Sequence, residues 1–532
     1  MTSRVRAACL AAGLVAASAI GSSPRLTVAD DGAPPQGPVP VPAPAPAARQ
    51  RPDVLLVSVD ALRADHLGFM GSERATSPHI DALAAKAVVF DDAWSASSWT
   101  PPSATSFLTG LHPIRHGNVG GPVRLTEDVE TLAETLKAAG WRTRATVQNA
   151  WFSKEFGLSQ GFDRYDAWKF IGDPVADPKV EEDLASWMRA DAETPFLLWV
   201  HHFSPHCPYV PHEPWISSWS PPKYSKWAVT VESEEMRAFE YRMILPQDLE
   251  RFTALYDSEI AFTDEHVGKL LASVPHPERT IVVFVADHGE EFKDHGGMWH
   301  YRHLHREVAR VPFFIALPGQ TAAVRHAGPV SATDLVPTLR ALLGMPAAAG
   351  LDGMPLLGAS GDRPGAVQSS LGAFDVGRAS DMVFSFKYAQ SYNADMSQAA
   401  IVRGDGDGDG CDAGDGPIGN SFAVRDRRWS LLCDTSERDM ESSKALDEAP
   451  AAKGRPRFTA YGKKYRYRLY DRIADPGETT DVTARFPAEA RRLALALRAE
   501  FRRAPLRLPP ERPTMKISPE IEDELRGLGY VK

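Results

Sequence analysis

The chain has 532 residues, of which 43% are hydrophobic and 24% are charged, and its formal net charge is -10. Such a chain is long enough to bury a large core, either as one large domain or as a large domain with a smaller companion. The acidic balance and the lack of a basic run exclude nucleic acid as an expected partner, because proteins that bind nucleic acid carry clustered Lys and Arg.

The first residues have the pattern of a secretory signal peptide. Arg4 and Arg6 precede an apolar, alanine-rich stretch at 7–20, and small residues suited to cleavage stand at 17–19. We therefore predict a signal peptide over 1–20, followed at 21–51 by an extended Pro/Ala-rich linker. The expected location is secreted or periplasmic, with membrane attachment only if the signal segment stays uncleaved.

Three of the four cysteines lie beyond the predicted signal peptide. Cys411 and Cys433 could form a disulfide in an oxidising compartment, which would leave Cys207 unpaired. Spacing alone does not decide between the paired and unpaired forms.

The folded part is predicted to begin at Pro52 with a buried parallel strand. Residues 54–59 form a continuous apolar, β-branched run, which is typical of strands covered on both faces, and the run ends at Asp60. A carboxylate at the C-terminal end of such a strand faces the crevice where open α/β sheets bind ligands. Asp60 is therefore a candidate metal ligand.

The next feature is a hydroxyl at a predicted helix start. Proline is favoured at the first helical position, so Thr100 before Pro101 is predicted to be the N-cap of a helix over about 101–108. Such a start would present free backbone N–H groups and the positive dipole end to an oxyanion bound beside Thr100. Thr100 is thus a candidate nucleophile, with a simple helix cap as the alternative.

Further elements follow from the hydrophobic pattern. Strands are predicted over residues 143–148, 195–202, 280–286 and 311–317. Amphipathic helices are predicted over residues 127–140 and 248–274.

Polar residues follow two of these strands and are candidates for substrate contact. Asn149 could line the rim of a pocket or simply cap its strand end. His201 and His206 lie at and after the end of the 195–202 strand, where an imidazole can bind metal, contact an oxyanion or protonate a leaving group. A structural role is the alternative for each of them.

Asp287 and His288 follow the 280–286 strand and are candidate metal ligands. Carboxylate and neutral imidazole are ordinary ligands of Zn²⁺, Mn²⁺ and Mg²⁺, and the histidine disfavours calcium. His295 and His300 follow closely in the sequence. Each could bind a second metal, contact an oxyanion or protonate a leaving group, with a structural role as the alternative.

Several of these segments resemble the sulfatase family. Residues 100–110, TPPSATSFLTG, are similar to the signature C-x-P-S-R-x-x-x-L-T-G, and residues 287–290, DHGE, are similar to the family's metal-binding block. Two positions depart from the signature. Thr100 stands where sulfatases carry the cysteine that is oxidised to formylglycine, and Ala104 stands in place of an arginine.

The resemblance implies an α/β fold of the alkaline phosphatase type, in which a mostly parallel sheet is sandwiched by helices and joined by a smaller C-terminal α+β subdomain. It covers roughly residues 53–530. The expected boundaries are 52–360 for the catalytic domain and 361–532 for the subdomain that completes the fold.

The resemblance also implies one divalent metal ion, with the ligands Asp60, Thr100, Asp287 and His288. Many sulfatases carry a second aspartate after the first, where this chain has Ala61. Mn²⁺, Zn²⁺ or Mg²⁺ is therefore expected rather than Ca²⁺. Because a threonine cannot become an aldehyde by that oxidation, no formylglycine is expected.

The implied activity is hydrolysis or transfer of a phosphate mono- or diester by a metal-activated Thr100. The expected catalytic residues are Thr100, His206, His295 and His300, with His201 and Asn149 as substrate contacts. A sulfatase and a catalytically silent ion- or ligand-binding homologue are the alternatives. The substrate is expected to be a small-molecule, glycan or lipid-headgroup ester, and the sequence does not indicate an oligomeric state.

Overall fold

The computed structural model of the chain describes residues 51–119, 123–168, 176–225, 244–300, 303–359, 367–369, 372–376, 382–387, 421–434, 457–460, 463–503 and 517–527. The first ten strands are Asp53–Val59 (β1), Val88–Trp94 (β2), Arg142–Gln148 (β3), Arg164–Trp168 (β4), Phe196–His202 (β5), Thr280–Ala286 (β6), Glu291–Phe292 (β7), Met298–Trp299 (β8), Phe313–Ala316 (β9) and Val324–Ser331 (β10). Eight of them form one sheet, in the order β10-β2-β9-β6-β1-β5-β3-β4. The remaining two, β7 and β8, form a separate antiparallel pair.

The large sheet is mostly parallel, as expected. The pairs β1-β5, β1-β6, β3-β5, β3-β4 and β2-β10 are parallel. Strand β9 runs antiparallel to its neighbours β2 and β6. Strands β1, β3, β5, β6 and β9 were predicted from the sequence within two residues at either end, whereas β2, β4 and β10 were not.

Helices cover both faces of this sheet. Their ranges are Pro78–Ala84 (α1), Thr100–Thr109 (α2), Pro113–His116 (α3), Leu132–Ala138 (α4), Pro178–Arg189 (α5), Trp215–Trp219 (α6), Pro246–Ser273 (α7), Arg306–Ala309 (α8), Leu335–Leu342 (α9), Pro487–Arg503 (α10) and Pro519–Gly527 (α11). None of the helices in the described ranges combines the length and apolarity that crossing a membrane requires.

Strand β1 shows why the core has two layers. Its side chains alternate between the faces of the sheet, so Leu55 and Val57 pack in the cluster that contains α7, whereas Val54 and Leu56 pack in the cluster that contains α2. All four are fully buried. Burial on both faces explains the continuous apolar run in the sequence.

The two predicted helices differ in how well their bounds were anticipated. The helix predicted over 248–274 is confirmed as α7. The one predicted over 127–140 is shorter, because Thr131 and Glu134 form a capping box at the start of α4. Each side chain there bonds to the other residue's backbone N–H, at 3.2 and 2.8 Å.

The C-terminal part contains the smaller antiparallel sheets. A three-stranded sheet consists of Leu357–Ala359 (β11), Val367–Ser369 (β12) and Gly372–Val376 (β13). A five-stranded sheet has the order β14-β15-β16-β18-β17, with the ranges Val383–Lys387 (β14), Ser421–Arg425 (β15), Trp429–Asp434 (β16), Arg457–Ala460 (β17) and Lys463–Asp471 (β18). Helix α10 packs on it through Ala490, Leu493 and Leu497, so the predicted α+β subdomain is confirmed.

The five-stranded sheet contacts the segment that leads into α2. The backbone N–H of Phe386 on β14 donates to the carbonyl of Ala96 at 2.7 Å, and Ser385 Oγ donates to the carbonyl of Ser95 at 2.7 Å. Gln50–Lys532 groups as one compact unit. Cys433 is buried on β16, and Cys411 lies outside the described residues, together with the predicted pairing of the two.

Candidate active site

Two adjacent strands of the large sheet bring three buried ligand atoms together. Asp60 follows β1, and Asp287 and His288 follow β6. The backbone N–H of Asp60 donates to His202 at 2.9 Å, which holds the end of β1 against β5. One ligand atom from each of Asp60, Asp287 and His288 lies within 4.8 Å of the others, and all three residues are fully buried.

Thr100 joins this group from the start of α2. Its hydroxyl lies 3.3 Å from Asp60 Oδ1 and 3.3 Å from His288 Nε2. The prediction that Thr100 is the N-cap is wrong by one residue. The helix begins at Thr100, and Trp99 is the N-cap, with φ -163° and ψ 164° and no side-chain cap bond. The Thr100 hydroxyl thus contacts the acid Asp60 and the imidazole of His288.

The expected row of free backbone N–H groups at this helix start is also wrong. Pro101 and Pro102 are the second and third residues of α2, and proline has no backbone N–H. The N–H of Ser103 donates to the carbonyl of Trp99 at 3.3 Å. The helix dipole is still directed at the site, but Pro101 and Pro102 offer no backbone donor to an oxyanion there.

The charges of the two aspartates favour a cation between them. Burial opposes ionisation of Asp60, but the neighbouring imidazoles His206, His201 and His288 hold the pKa of its carboxyl well below the usual range. Burial and the negative charge of Asp60 raise the pKa of Asp287 to about 6. Burial opposes the charged form of His288, yet Asp287 and Asp60 raise its pKa to about 9. Two buried carboxylates this close repel each other unless positive charge compensates them.

The hydrogen bonds of the Asp287 carboxylate show whether the site suits a metal ion. Its Oδ1 accepts the backbone N–H groups of Ala61 and His288 at 3.1 and 2.8 Å. Its Oδ2 is buried and accepts no hydrogen bond from any residue in the described ranges. His288 Nδ1 donates to the carbonyl of Gly289 at 2.9 Å, which leaves Nε2 as the ligand atom. Two acids, one hydroxyl and one imidazole therefore fit a divalent cation.

The residue after Asp60 is conformationally unusual. Ala61 has φ 53°, in the left-handed region that favours glycine. Its N–H donates to Asp287 and its carbonyl accepts the hydroxyl of Tyr256 at 2.7 Å. These two bonds hold the strained backbone in place, so Ala61 supports Asp287 through its main chain and offers no carboxylate of its own.

Asn149 fills one of the two roles that the sequence left open, the strand-end cap, and it also contacts Asp60. Its Nδ2 donates to Asp60 Oδ2 at 2.7 Å, and its Oδ1 accepts the N–H of Trp151 at 2.9 Å. It therefore orients Asp60 and caps the turn after β3 at once. His201 is placed behind Asp60: its Nε2 lies 3.4 Å from Asp60 Oδ2 and its Nδ1 lies 2.8 Å from Ser58 Oγ. Both predicted substrate contacts thus contact Asp60, the candidate metal ligand.

His206 and His300 line the same site. The ring centroid of His300 lies 4.3 Å from that of His288 and 5.0 Å from that of His206. Burial lowers the pKa of His206 to about 4 and lowers that of His300 well below its usual value. His206 Nδ1 donates to the carbonyl of Cys207 at 2.6 Å. Both rings therefore lie beside His288, the imidazole that contacts the Thr100 hydroxyl.

His295 lies in a different cluster. Its Nδ1 lies 2.8 Å from Glu307 Oε1, and its Nε2 donates to the carbonyl of Glu478 at 3.0 Å. Its ring stacks on His305, with centroids 3.6 Å apart. Strands β7 and β8 separate it from Asp287 and His300 along the chain, so the structure brings together the other predicted site residues and places His295 elsewhere.

Sequence reasoning assigned no role to Glu290 and Tyr209. Glu290 Oε1 lies 2.8 Å from His300 Nδ1, and Glu290 Oε2 accepts the hydroxyl of Tyr209 at 3.0 Å. Burial raises the pKa of Glu290 to about 7. The available signal was a charged residue two positions after the metal-ligand candidate His288, in a segment that is otherwise buried.

Comparison with known proteins identifies the family to which this chain belongs. The Sulfatase family model matches residues 52–345. An ulvan-active sulfatase of Formosa agariphila is 29% identical over 351 residues, which cover 58% of this chain and 64% of that protein. An arylsulfatase of Clostridium perfringens is 26% identical over 337 residues, covering 51% and 69%. The match with the first relative thus spans less than two-thirds of its length.

Solved structures show the same fold. The phosphonate monoester hydrolase of Agrobacterium radiobacter superposes with a TM-score of 0.60 at 19% identity, covering 85% of this chain and 96% of that one. A 2-O GAG sulfatase superposes with a TM-score of 0.58 at 18% identity, covering 86% and 95%. Because the family model matches more than half of the 532 residues, the chain belongs to the sulfatase family of the alkaline phosphatase superfamily.

Proposed function

We propose that this protein is a metal-dependent ester hydrolase that uses Thr100 as its nucleophile and prefers phosphate esters to sulfate esters. The observation that carries the proposal is the position of the Thr100 hydroxyl, 3.3 Å from both Asp60 Oδ1 and His288 Nε2 in a fully buried site. A hydroxyl that served only as a helix cap would bond to the backbone of its own helix instead.

Asp60, Thr100, Asp287 and His288 would hold the cation. When bound, a divalent ion supplies positive charge that lowers the pKa of a coordinated hydroxyl and neutralises charge on the group being transferred. Mn²⁺, Zn²⁺ or Mg²⁺ suits a set that includes an imidazole better than Ca²⁺ does. Asn149 and His201 keep Asp60 oriented through the contacts at 2.7 and 3.4 Å.

The chemistry proceeds in two displacements. Thr100 Oγ1 gives its proton to the neutral imidazole of His300 and forms a bond to phosphorus, while the bond from phosphorus to the leaving alcohol breaks in line with it. His206 contacts the nonbridging oxygens, and His300 passes the proton taken from Thr100 to the leaving oxygen, so that its imidazole is neutral again after the step. Water then attacks the phospho-threonine, and the Thr100 hydroxyl is restored with release of the product.

The preference for phosphate follows from the chemistry of a threonine. The formylglycine route releases sulfate from an aldehyde hydrate, which has a second hydroxyl on the same carbon. Thr100 has one hydroxyl and cannot eliminate the group in this way. Turnover therefore requires water to cleave the threonine ester, the step that phosphoryl transfer enzymes carry out through in-line attack. Weak sulfatase activity is the alternative that the shared tetrahedral shape of the two groups permits.

The test compares three substrate classes with one nucleophile variant. The wild-type protein should hydrolyse an aryl phosphodiester or an aryl phosphate faster than an aryl sulfate when a divalent ion is present. Thr100→Ala should reduce that activity by at least about 1000-fold, whereas Thr100→Ser should retain a measurable part of it. Intact-mass analysis of quenched reactions should detect phosphate on Thr100.

Two outcomes would contradict the proposal in different ways. If the aryl sulfate is the best substrate and activity still requires Thr100, the protein is a sulfatase with an unusual nucleophile. If wild type and Thr100→Ala are equally inactive on all three classes while both bind the ion, the protein is a catalytically silent binding homologue. Ala61 and Ala104, which replace residues that many sulfatases carry at these positions, would then explain the lack of activity.

The substrate and the location are part of the same proposal. We infer a glycan, small-molecule or lipid-headgroup ester, because one relative is named an ulvan-active sulfatase and two solved neighbours are described with a glucosamine disulfate and a neocarrahexaose. We also propose that the chain is exported, since Arg4 and Arg6 precede the apolar stretch at 7–20. Fractionation of the producing cell, with activity found only in the cytoplasm, would contradict export.

A further inference from the structure

A cavity of about 180 Å³ lies outside the active site. It is lined by residues from the end of β2, from α8 and from the turn that follows β18. Strands β2 and β6 both run antiparallel to β9, so the end of β2 lies at the same edge of the sheet as Asp287. In the described part of the chain, the lining includes neither Thr100 nor a candidate metal ligand. It does include three arginines, Arg306, Arg310 and Arg472.

Arg306 and Arg310 lie one helical turn apart. The backbone N–H of Arg310 donates to the carbonyl of Arg306 at 2.8 Å, and side chains four positions apart on a helix lie on the same face. Two like charges at this spacing repel each other. Burial and the charge of Arg306 lower the pKa of the Arg310 guanidinium, and Arg472 acts in the same direction. Asp92 and Asp65 oppose this lowering of the pKa without cancelling it.

The acids around the cavity already have cationic partners. Those that line it form the ion pairs Asp91 with Arg325, Asp92 with Arg472, and Glu478 with Arg425. Asp65, which lies close enough to Arg306 to interact with its charge, accepts hydrogen bonds from Arg63 at 3.0 and 2.9 Å. These acids are therefore matched by arginines other than Arg306 and Arg310.

Two guanidinium groups in the lining are left without a matching acid. Within the described ranges, the Arg306 side chain forms no hydrogen bond and no ion pair, and the residue is half-buried. Arg310 Nη2 donates to the backbone carbonyl of Asp91 at 2.7 Å, an acceptor without net charge. Half-buried like charges this close to each other favour an anion bound between them.

We propose that this cavity binds a tetrahedral oxyanion, a sulfate or phosphate group, through Arg306 and Arg310. Guanidinium groups bind such oxyanions with paired hydrogen bonds, and the two unmatched positive charges compensate the negative charge of the group. The cavity is smaller than the roughly 300 Å³ at which sites for whole small molecules begin, so it suits a single anionic group. The inference does not depend on the proposed function, because no reaction takes place at this site.

Titration of the ion-loaded protein with sodium sulfate tests the site. At an ionic strength kept constant with sodium chloride, calorimetry should give a Kd for sulfate that is at least about 10-fold higher in Arg306→Gln, because a charge-assisted hydrogen bond is lost. Arg189→Gln is the matched control: it removes the same charge from an exposed arginine that pairs with Glu182 at 3.1 Å, and should keep the wild-type Kd. Any sulfate bound by the active-site ion contributes equally to all three proteins.

Stability without sulfate separates a binding site from a structural role. Arg306→Gln should then be at least as stable as the wild type, because the change removes the repulsion from Arg310. If the variant instead loses the same free energy of unfolding with and without sulfate, Arg306 is structural and the inference is overturned. A crystal soaked in selenate should show an anomalous peak within hydrogen-bond distance of both arginines, and a cavity without this peak overturns the inference as well.

A second titration identifies the source of the anion. Thr100→Ala is used so that turnover does not interfere, and its Kd for sulfate should equal that of the wild type. The ligands are a disaccharide that carries two sulfate groups and the same disaccharide without sulfate. If the site holds a group of a larger ligand, the disulfated sugar should compete with inorganic sulfate, and adding Arg306→Gln should weaken its binding about 10-fold.

If the site holds a free anion, inorganic sulfate and phosphate should bind without competition from the disulfated sugar. Both results support the site and differ only in where the oxyanion comes from. Acetate that binds as tightly as sulfate would contradict the assignment to a tetrahedral oxyanion. Since the sulfate titrations measure no turnover, a failure of the proposed function leaves this test unaffected.

Discussion

Thr100 and His288 are separated by 188 residues in the sequence, yet the hydroxyl of one lies 3.3 Å from Nε2 of the other. One side chain comes from the first turn of α2 and the other from the loop after β6. The same imidazole also lies 3.3 Å from Asp60 Oδ1. The proposed nucleophile and its charged neighbours are thus held by a helix and by strand ends of one sheet, and the consequences can be tested one residue at a time.

Asp60 should be the residue on which ion binding depends most. It contacts Thr100, Asn149, His201 and His288. A saturating divalent ion should stabilise the wild type by about 3 kcal/mol at 100 times its Kd, and should stabilise Asp60→Asn by less than about 0.5 kcal/mol. Denaturant unfolding with and without the ion measures this difference. Asp264→Asn, which changes a buried acid bonded to the backbone of His79 and Ile80, is the control and should keep the full gain.

Asp287 should give the chelator-treated protein a distinctive pH dependence. Burial and the charge of Asp60 raise its pKa from 3.8 to about 6 in the folded state. The folded state then binds the proton more tightly than the unfolded state, so the free energy of unfolding should fall as the pH rises from about 4 to about 6. The fall attributable to this group is about 3 kcal/mol. Asp287→Asn should lack it, and an identical pH profile for both proteins would refute the assignment.

Asn149 should separate ion affinity from local folding. Asn149→Ser keeps an oxygen that can accept the N–H of Trp151 but loses the donor to Asp60. We expect the ion affinity to fall about 10-fold to 100-fold, as is usual when a residue supporting a ligand is removed. The melting temperature without ion should change little. Titration calorimetry measures the Kd for the ion, and thermal unfolding measures the melting temperature. An unchanged Kd would show that the contact does not orient Asp60.

Gly289 should tolerate no side chain. A Cβ at this position would lie 2.1 Å from the carbonyl oxygen of Glu307, which belongs to the backbone and cannot swing away. Gly289→Ala should therefore push the Asp287 and His288 segment off α8, with a loss of more than about 2 kcal/mol in stability and most of the turnover. Gly358→Ala is the control, because a Cβ there meets nothing within 4 Å. Equal stability of the two variants would contradict this account.

His295 should stabilise the fold in a pH-dependent way without taking part in turnover. Burial opposes its charged form, but Glu307 and Glu478 raise its pKa from 6.5 to about 9. A raised pKa means that the stabilisation is fully present below about pH 6.5 and is lost as the pH rises through about 9. Its magnitude is roughly 3 kcal/mol at most. The free energy of unfolding of His295→Gln should lie below that of the wild type at about pH 6.5, and the two values should converge near pH 9. A variant that loses kcat but keeps its stability would contradict the structural role.

The sequence was most informative where strands end in acids. The runs before Asp60 and Asp287 are apolar and β-branched, and both are confirmed as buried strands of one sheet. Strands β2 and β10 were missed because their composition opposes the prediction: VVFDDAW carries two acids, and VRHAGPVS carries a glycine and a proline. Their pairing with neighbours in the sheet overrides these weak local preferences.

Other features depend on geometry that no local pattern contains. His295 and His300 occur in one motif-like segment, but His295 lies in the turn between the paired strands β7 and β8 and contacts Glu307, whereas His300 follows β8 and contacts Glu290. The helix start at Thr100 was misplaced by one residue, because proline is accommodated at either of the first helical positions. That single residue decides whether the hydroxyl caps the helix or reaches Asp60.

The bonds from β14 to Ser95 and Ala96 have a consequence for how this enzyme family can be re-engineered. The region that matches the family model ends at residue 345. The β14 residues that bond to the segment before Thr100, the proposed nucleophile, therefore lie outside that region. Exchanging the last third of the protein for that of a relative would leave the acids and the imidazole on their strands. If Thr100 is the nucleophile, as proposed, the exchange should change the position of its hydroxyl, and thus the reaction rate more than the ion affinity.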